Sequence, residues 1–320
     1  MTAVATARGE VDSANLGRTL MHEHVFVLTT DVQRNHDEWD EDERVADAVQ
    51  KLTAVKQAGY DTIVDPTVIG LGRYVPRIQR INEQVDLNIV LATGVYTYDT
   101  VPFYFRYRGP QFGLPEPMVE MFVRDLTEGI PGTGVRAGLL KCAIDEQGLT
   151  PDVERILRAT AQAHRQTGAP ITVHTHPGTR TGLEVHKVFA DEGVDATRVV
   201  LGHSGDSTDA DHLGELADLG YTLGMDRFGI DSGLGFDERV AIVVELAGRG
   251  YADRMVLAHD AACYLDWVDP ALRGVNPRWH FLHIEEDVLP ALRERGVTQE
   301  QIDQMLVANP RRYFENVGAY

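Results

Sequence analysis

Short β-branched runs alternate with longer amphipathic segments along almost the whole chain. The runs are "TLMHEHVFV", "DTIVDPT", "NIVLATG", "AGLLKCA", "APITVHT", "RVVLGH", "YTLGM" and "RMVLAHD", eight in all, and they read as strands. Between and after them, residues 42–58, 74–84, 117–129, 151–167, 180–192, 209–219, 236–248 and 285–295 are patterned as helices. Thr150 followed by Pro151 is an N-cap with proline in the first helical position, and Asp209 suits another cap. Gly59 and Gly168 fall where helices should end. Strands alternating with helices imply βαβ units and a parallel sheet. Eight such units favour an α/β fold of the closed (β/α)8, or TIM-barrel, type over an open doubly wound sheet. A dinucleotide-binding sheet would place G-x-G-x-x-G after its first strand, where this chain has His-Glu-His. The later stretch "TQEQIDQMLVANPRRYF" predicts a further helical segment ended by Asn309–Pro310, read as a C-terminal extension packed on the barrel. With no composition shift, low-complexity tract or long linker, residues 1–320 read as one domain.

Charge narrows the partners. Asp and Glu number 49 against 30 Lys and Arg, a formal net charge of -19. Such a field repels phosphate backbones and anionic lipid, which excludes nucleic acid and membrane surfaces and leaves small molecules. Two cysteines, Cys142 and Cys263, make no disulfide framework and suit a reducing compartment. The N-terminal stretch has no basic segment followed by an apolar one, and no segment approaches a membrane span. These features predict a soluble, cytoplasmic protein.

The first run contains the chain's most informative spacing. Alternation along a strand would point Leu20, His22, His24 and Phe26 one way and Met21, Glu23 and Val25 the other. Two neutral imidazoles on one face can grip a divalent metal, although an isolated pair is more often satisfied by ordinary hydrogen bonds. The other strand ends add weight. The fourth run carries Lys141, the fifth His174, the sixth His203 and the eighth Asp260. In barrels the active site forms at the C-terminal ends of the strands, so these six groups should converge on one mouth. Lys141 lies inside the apolar "GLLKCAI", with Leu139, Lys141 and Ala143 predicted to face the interior and Cys142 the helix layer. Burial lowers a lysine's pKa and frees its amine for a Schiff base or for reaction with carbon dioxide, giving a carbamate able to bridge two cations.

The order HxH, Lys, His, His, Asp resembles the amidohydrolase superfamily with a binuclear metal centre. More closely, the chain is similar to the phosphotriesterase-related group and its phosphotriesterase-like lactonases. The resemblance runs through "DTIVDPTVIGLGR", "ATGVYTYDTVPFYFRYRGP", "GLLKCAIDEQGLTP", "LGHSGDSTD", "GMDRFGID", "HDAACYLDW" and "NPRRYFE". Ala258, before His259, departs from the serine usual there but touches no ligand. The resemblance implies that His22, His24 and Asp260 hold the more buried metal and His174 and His203 the more exposed one. It implies that carboxylated Lys141 and a hydroxide bridge the two, and that this hydroxide attacks a lactone carbonyl or a phosphoryl group. Zinc, cobalt, iron or manganese could serve. Asp260 would take up the proton, Tyr96 would touch the substrate ring, and Arg227 would line the same pocket. The family also implies a homodimer, with aromatic surface near "FYFRY" as a candidate contact.

Other residues receive plainer readings. The long segment 261–283 carries Cys263, Tyr264, Leu265, Trp267, Val268, Val275, Trp279 and Phe281. Cys263, Leu265, Trp267 and Trp279 are its candidates for a substrate wall, against the alternative that the aromatics only pack the loop down. His164, His186 and His212 are expected on solvated helix faces, His176 in a loop role, and Glu23 paired outside the barrel. Lactone hydrolysis, with N-acyl-homoserine lactones and other γ/δ-lactones as substrates, is favoured. A primary phosphotriesterase, another metal hydrolase such as an amidase, and a non-catalytic binding barrel are the alternatives. Zinc-dependent barrel nucleases share HxH but place a glutamate where this chain has Lys141.

Overall fold

The barrel strands are buried on both faces, which is why their sequences are nearly continuous apolar runs rather than alternating ones. The structure is a computed structural model describing residues 2–35, 39–315 and 318–320. After a hairpin of β1 (Ala3–Thr6) and β2 (Gly9–Asp12) come β3 (Thr19–Leu20), β4 (His24–Val27), β5 (Thr62–Asp65), β6 (Asn88–Gly94) and β7 (Leu139–Ala143). They are followed by β8 (Ile171–His174), β9 (Val199–Gly202), β10 (Thr222–Met225), β11 (Met255–Leu257) and β12 (Ala262–Leu265). The order β3-β5-β6-β7-β8-β9-β10-β11 is parallel throughout. The Met21 N–H donates to the Leu257 carbonyl at 3.2 Å across the gap between first and last strands. This is the TIM-barrel fold read from the alternation of runs.

The helices are α1 (Thr30–Asn35), α2 (Glu41–Gln57), α3 (Val75–Asn82), α4 (Phe103–Arg106), α5 (Pro117–Thr127), α6 (Pro151–Thr167), α7 (Thr181–Asp191), α8 (Ala210–Asp218), α9 (Phe236–Gly248), α10 (Leu289–Glu294), α11 (Gln299–Asp303) and α12 (Asn309–Glu315). The expected caps are present: Thr150 accepts from the Val153 N–H, Asp209 from the His212 N–H, and Gly168 ends α6 in the left-handed conformation at φ 73°. Leu140, Cys142, Ile171, Val173 and Leu201 point out to the helices. Met21, Val64, Ala92, Leu139, Val200 and Val256 fill the interior. Val4 of the hairpin and Tyr313 and Phe314 of α12 join that interior cluster and close the barrel at the end opposite the site. Tyr313 reaches the Thr172 hydroxyl at 3.0 Å.

Four expectations are corrected. The first run is not one strand: the chain bends over residues 21–23, so β3 pairs with β5 while β4 pairs with β12. Simple alternation therefore fails there. His22 and His24 both turn inward, whereas Leu20 and Phe26 join the outer core. Second, β12 is a strand inside the segment read as loop, in register with β4 from Ala262 opposite His24 to Leu265 opposite Val27. Third, Asn309–Pro310 does not end the C-terminal helix. A wide turn, Gln304–Ala308, with the Asn309 N–H reaching back to the Gln304 carbonyl, absorbs the proline, and α12 runs on. The same device, Ile284–Val288, precedes Leu289–Pro290. Fourth, His164 and His212 are buried. His164 bonds the Ala169 carbonyl at 2.7 Å and the Tyr320 hydroxyl at 2.6 Å, because it lies on the inward face of α6 with Thr160 and Ile156. His186 is half-buried, with its Nδ1 3.2 Å from the Tyr221 hydroxyl. Among the described residues no helix is long and apolar enough to cross a membrane.

Candidate active site

His22, His24, Lys141, His174, His203 and Asp260 line one cavity of about 220 Å3 at the C-terminal ends of the strands. Register explains the convergence. Lys141 pairs with Gly94 on one side and Thr172 on the other, and His174 lies opposite Ala143 and Gly202. The small neighbours leave room. A Cβ on Gly94 would lie 1.7 Å from the Lys141 carbonyl oxygen, so only glycine fits there. The His174 and His203 ring centroids are 4.4 Å apart and those of His22 and His203 4.9 Å.

Each imidazole is oriented by an acceptor behind it. Asp226 takes His22 Nδ1 on one oxygen and His203 Nδ1 on the other, both at 3.0 Å, and also accepts the His203 backbone N–H at 2.8 Å. His24 Nδ1 is 2.7 Å from the Thr67 hydroxyl, which is bonded in turn to Asp65. Asp145 receives His174 Nε2 in a short hydrogen bond, leaving His174 Nδ1 toward the cavity and 3.3 Å from the Tyr96 hydroxyl. Anchoring one ring nitrogen leaves the other free as a ligand, the arrangement metal-binding histidines need. The sequence reading missed Asp226, Asp145 and Asp65. Asp226 could have been found beside Arg227, as a carboxylate directly after the seventh barrel strand.

Asp260 sits at the centre. Its Oδ1 is 3.2 Å from His24 Nε2 and 3.5 Å from His22 Nε2, and its Oδ2 accepts from Arg227 Nε at 3.0 Å. Arg227 also pairs with Asp206 at 2.9 Å, and Asp206 with Arg239 at 2.6 Å. Burial opposes the Asp260 charge, but His22, His203, His24 and Arg227 outweigh it and hold the carboxyl well below its usual range. Burial likewise opposes protonation of His24, yet Asp260 and Asp65 raise it to about 9. Burial lowers His22, and more strongly His203, and brings His174 to about 4, so these three are neutral imidazoles at pH 7. Lys141 is 1% exposed, and among the described residues its amine has no hydrogen-bond partner. Burial lowers it from 10.5 to about 8.

This donor set fits divalent metal ions. Ligand atoms of His22, His203 and Asp260 lie within 4.8 Å of one another, a grouping that takes His203 rather than His24. Reaction of the Lys141 amine with carbon dioxide would turn it into a carbamate, an anionic oxygen donor for such ions.

The remaining candidates divide. Tyr96, Arg227, Leu265, Trp267 and Trp279 line the cavity, joined by Val27, Leu71, Tyr98, Ile230 and Val268. Tyr98, absent from the sequence reading, packs its ring 5.1 Å from His174 and its hydroxyl against that of Tyr96. Cys263 is not in this wall. It is buried beside a neighbouring cavity of about 390 Å3, with Arg44 and Lys51. Tyr264 packs on Trp39, and Phe281 is buried in the core, so the loop aromatics both line the site and pack the loop down. His176 is half-buried and bonds Thr179 in its own loop. Glu23 turns away from the cavity as expected, but into a buried contact with His259 rather than to the outside.

The phosphotriesterase family model matches residues 2–314. A phosphotriesterase homology protein of Mycobacterium tuberculosis is 58% identical over the full length of both chains. An aryldialkylphosphatase of Saccharolobus solfataricus is 36% identical over 96% of this chain and 98% of its own. The solved phosphotriesterase structure from Mycobacterium tuberculosis superposes with a TM-score of 0.97 at 57% identity, covering 99% of this chain and 100% of the other. A structure from the engineering of organophosphate hydrolysis activity from a weak promiscuous lactonase template gives 0.90 at 34% identity, over 98% and 100%.

Proposed function

Because the chain belongs to the phosphotriesterase family, a family of hydrolases, we propose that it is a binuclear-metal lactonase with phosphotriester hydrolysis as a side activity. Its substrates would be N-acyl-homoserine lactones and other γ/δ-lactones. The observation that carries the metal centre is the buried amine of Lys141, without a hydrogen-bond partner among the described residues, within a ring of four histidines and Asp260. Its lowered pKa makes a larger fraction of that amine neutral than in an exposed lysine, and the neutral amine would add to carbon dioxide, forming an N–C bond and releasing a proton, to give a carbamate with two oxygens. His22, His24, His174, His203, Asp260 and this carbamate would hold the two cations. When bound, the cations would supply Lewis acidity and acidify water enough to give hydroxide at neutral pH.

The chain's own residues account for the rest. Asp260, held ionised, is the acceptor for the proton released as water adds to the carbonyl. Arg227 stays charged at any working pH, so it orients and polarises Asp260 rather than relaying its proton. Burial and the neighbouring Tyr98 push Tyr96 well above its usual value, keeping a neutral phenol that donates a hydrogen bond. In a lactone the leaving oxygen stays tethered in the ring. A phenol next to His174 can therefore meet it as the C–O bond breaks and a hydroxy acid forms. An aryl phosphotriester releases a phenolate that needs no such donor. Val27, Leu71, Ile230, Leu265 and Val268 make the rest of the wall apolar and exclude water around an acyl chain.

The test compares kcat/KM for a long-chain N-acyl-homoserine lactone and an aryl phosphotriester in wild type and Tyr96→Phe. The lactone should be the better substrate, and Tyr96→Phe should impair it more than the triester. A triester efficiency above that of every lactone tried would make phosphotriester hydrolysis the main activity. We also propose a homodimer. Phe103, Tyr104 and Tyr107 are 75%, 56% and 64% exposed on one short segment, an aromatic surface that a second copy would cover.

A further inference from the structure

His22 lies in the bend after β3 and His24 opens β4, while Asp260 follows β11, the last strand of the barrel. Their relative placement therefore depends on how the barrel closes. Backbone bonds do part of this: Asp260 N–H to the His22 carbonyl at 3.1 Å and His24 N–H to the Ala261 carbonyl at 2.7 Å. The rest is a buried side-chain junction that the proposed chemistry leaves unused. Glu23, between the two histidines, accepts the His259 N–H at 2.9 Å on Oε1 and the Ala261 N–H at 3.1 Å on Oε2. His259 Nδ1 donates to the same Oε1 at 2.6 Å, while His259 Nε2 accepts the Ile284 N–H at 2.9 Å, which fixes its tautomer. The indole N–H of Trp279 is shared between the carbonyls of His259, at 3.0 Å, and Asp260, at 3.2 Å. Both Glu23 and His259 are fully buried.

These bonds surround a single residue. Asp260 has φ 54°, a left-handed conformation uncommon outside glycine, although aspartate tolerates it better than most residues. Two N–H groups two residues apart converge on one carboxylate because the chain reverses between them, and Asp260 makes that reversal. We infer that Glu23 and Trp279 are positioning residues for Asp260. Their hydrogen bonds to the peptide groups flanking it hold the left-handed turn, and so aim its carboxylate at His22, His24 and Arg227. A polar group this deeply buried must be fully paired, and here every acceptor bond of Glu23 goes to the segment bearing Asp260. Trp279 thus has two faces, a ring in the cavity wall and an N–H behind it. His259 carries the same restraint to Ile284, at the far end of the segment 261–283. The inference deepens the proposed hydrolase and rests on it for the chemistry, while the backbone geometry can be read without it.

Two variants separate the roles. Glu23→Gln keeps size but sets an amide NH2 against one of the three donors. Trp279→Phe keeps an aromatic ring in the wall and removes the N–H together with the smaller ring of the indole, and serves as the milder probe if Glu23→Gln folds poorly. Both should lower kcat for a lactone with KM little changed, Glu23→Gln by about tenfold to a hundredfold and Trp279→Phe by less, as displaced reacting groups do. Zinc retained per chain after dialysis against a chelator should fall in the same order. In crystal structures of the variants, residue 260 should leave the left-handed region or its carboxylate should move away from His24. Wild-type kcat and zinc retention in both variants, with only a lowered Tm, would reduce the junction to a structural one and overturn the inference. If the wild type itself neither holds zinc nor turns over a lactone, the hydrolase reading fails instead. The variant structures then still decide: an unmoved Asp260 in Glu23→Gln overturns the positioning role.

Discussion

Lys141 is buried with no hydrogen-bond partner among the described residues, at a cost that apolar packing alone does not require. Lowered to about 8, its amine is largely protonated and unreactive at pH 6.5 and largely neutral at pH 8.5. Added bicarbonate should therefore speed zinc uptake by metal-free protein at pH 8.5 and do little at pH 6.5. Equal effects at both values would sink the carbamate. Lys141→Ala should retain neither zinc nor activity, and an active Lys141→Ala enzyme would refute the assignment. Asp260→Asn removes the charge that His22, His203, His24 and Arg227 stabilise, and should lower kcat about a hundredfold, the usual scale for an acid–base group. A mere turn residue would instead lower Tm and leave turnover near normal. The six groups around the cavity were legible in the sequence because each falls within or close beside an apolar strand run, where chemistry in barrels collects. Asp226, Asp145 and Asp65 were not, since an aspartate after a strand is a common turn residue until a histidine is seen against it. Cys263 and Glu23 were misread for the same reason: their partners lie far along the chain, Glu23 meeting His259 across a separation of 236 residues.

Elements with a strong local pattern were the most readable. Capped amphipathic helices such as α6 and strands buried on both faces such as β7 follow from composition and spacing alone. The unreadable elements depend on long-range pairing. The N-terminal hairpin has only four residues in each strand, and β12 exists because β4 swings away from β3 and needs a neighbour. The consequence for function lies with β12 and the loop after it. Leu265, Trp267 and Val268 put an apolar wall beside the proposed metal ligands, with Ala262 and Leu265 held in register by β4. Each methylene of an acyl chain buried there contributes about 0.8 kcal/mol. Catalytic efficiency should rise with lactone chain length until the wall is filled. Leu265→Ser with Val268→Ser should flatten that dependence while sparing short lactones. A wild-type enzyme indifferent to chain length would show that the tail stays in solvent.

At the scale of the whole molecule, two surface properties pull in opposite directions. The net charge of -19 makes copies of the chain repel one another. The aromatic segment around α4 offers an exposed apolar surface, with Phe112 and Leu114 also 55% and 58% exposed nearby. If that surface forms the proposed dimer, association is driven by apolar burial against an electrostatic opposition. Salt shortens the range of the repulsion and leaves the apolar contribution intact. The dimer should therefore tighten as ionic strength rises from low to physiological values, whereas ion pairing across the interface would make salt weaken it. Sedimentation velocity across protein concentrations, at two salt levels, reads the sign directly. Phe103→Ser combined with Tyr107→Ser should shift the protein to monomer. Neither side chain lines the candidate-site cavity, so zinc content should stay at the wild-type level in that variant. A wild-type protein that stays monomeric at high concentration and high salt would refute the dimer, and a dimer unchanged by the double substitution would move its interface elsewhere on the barrel.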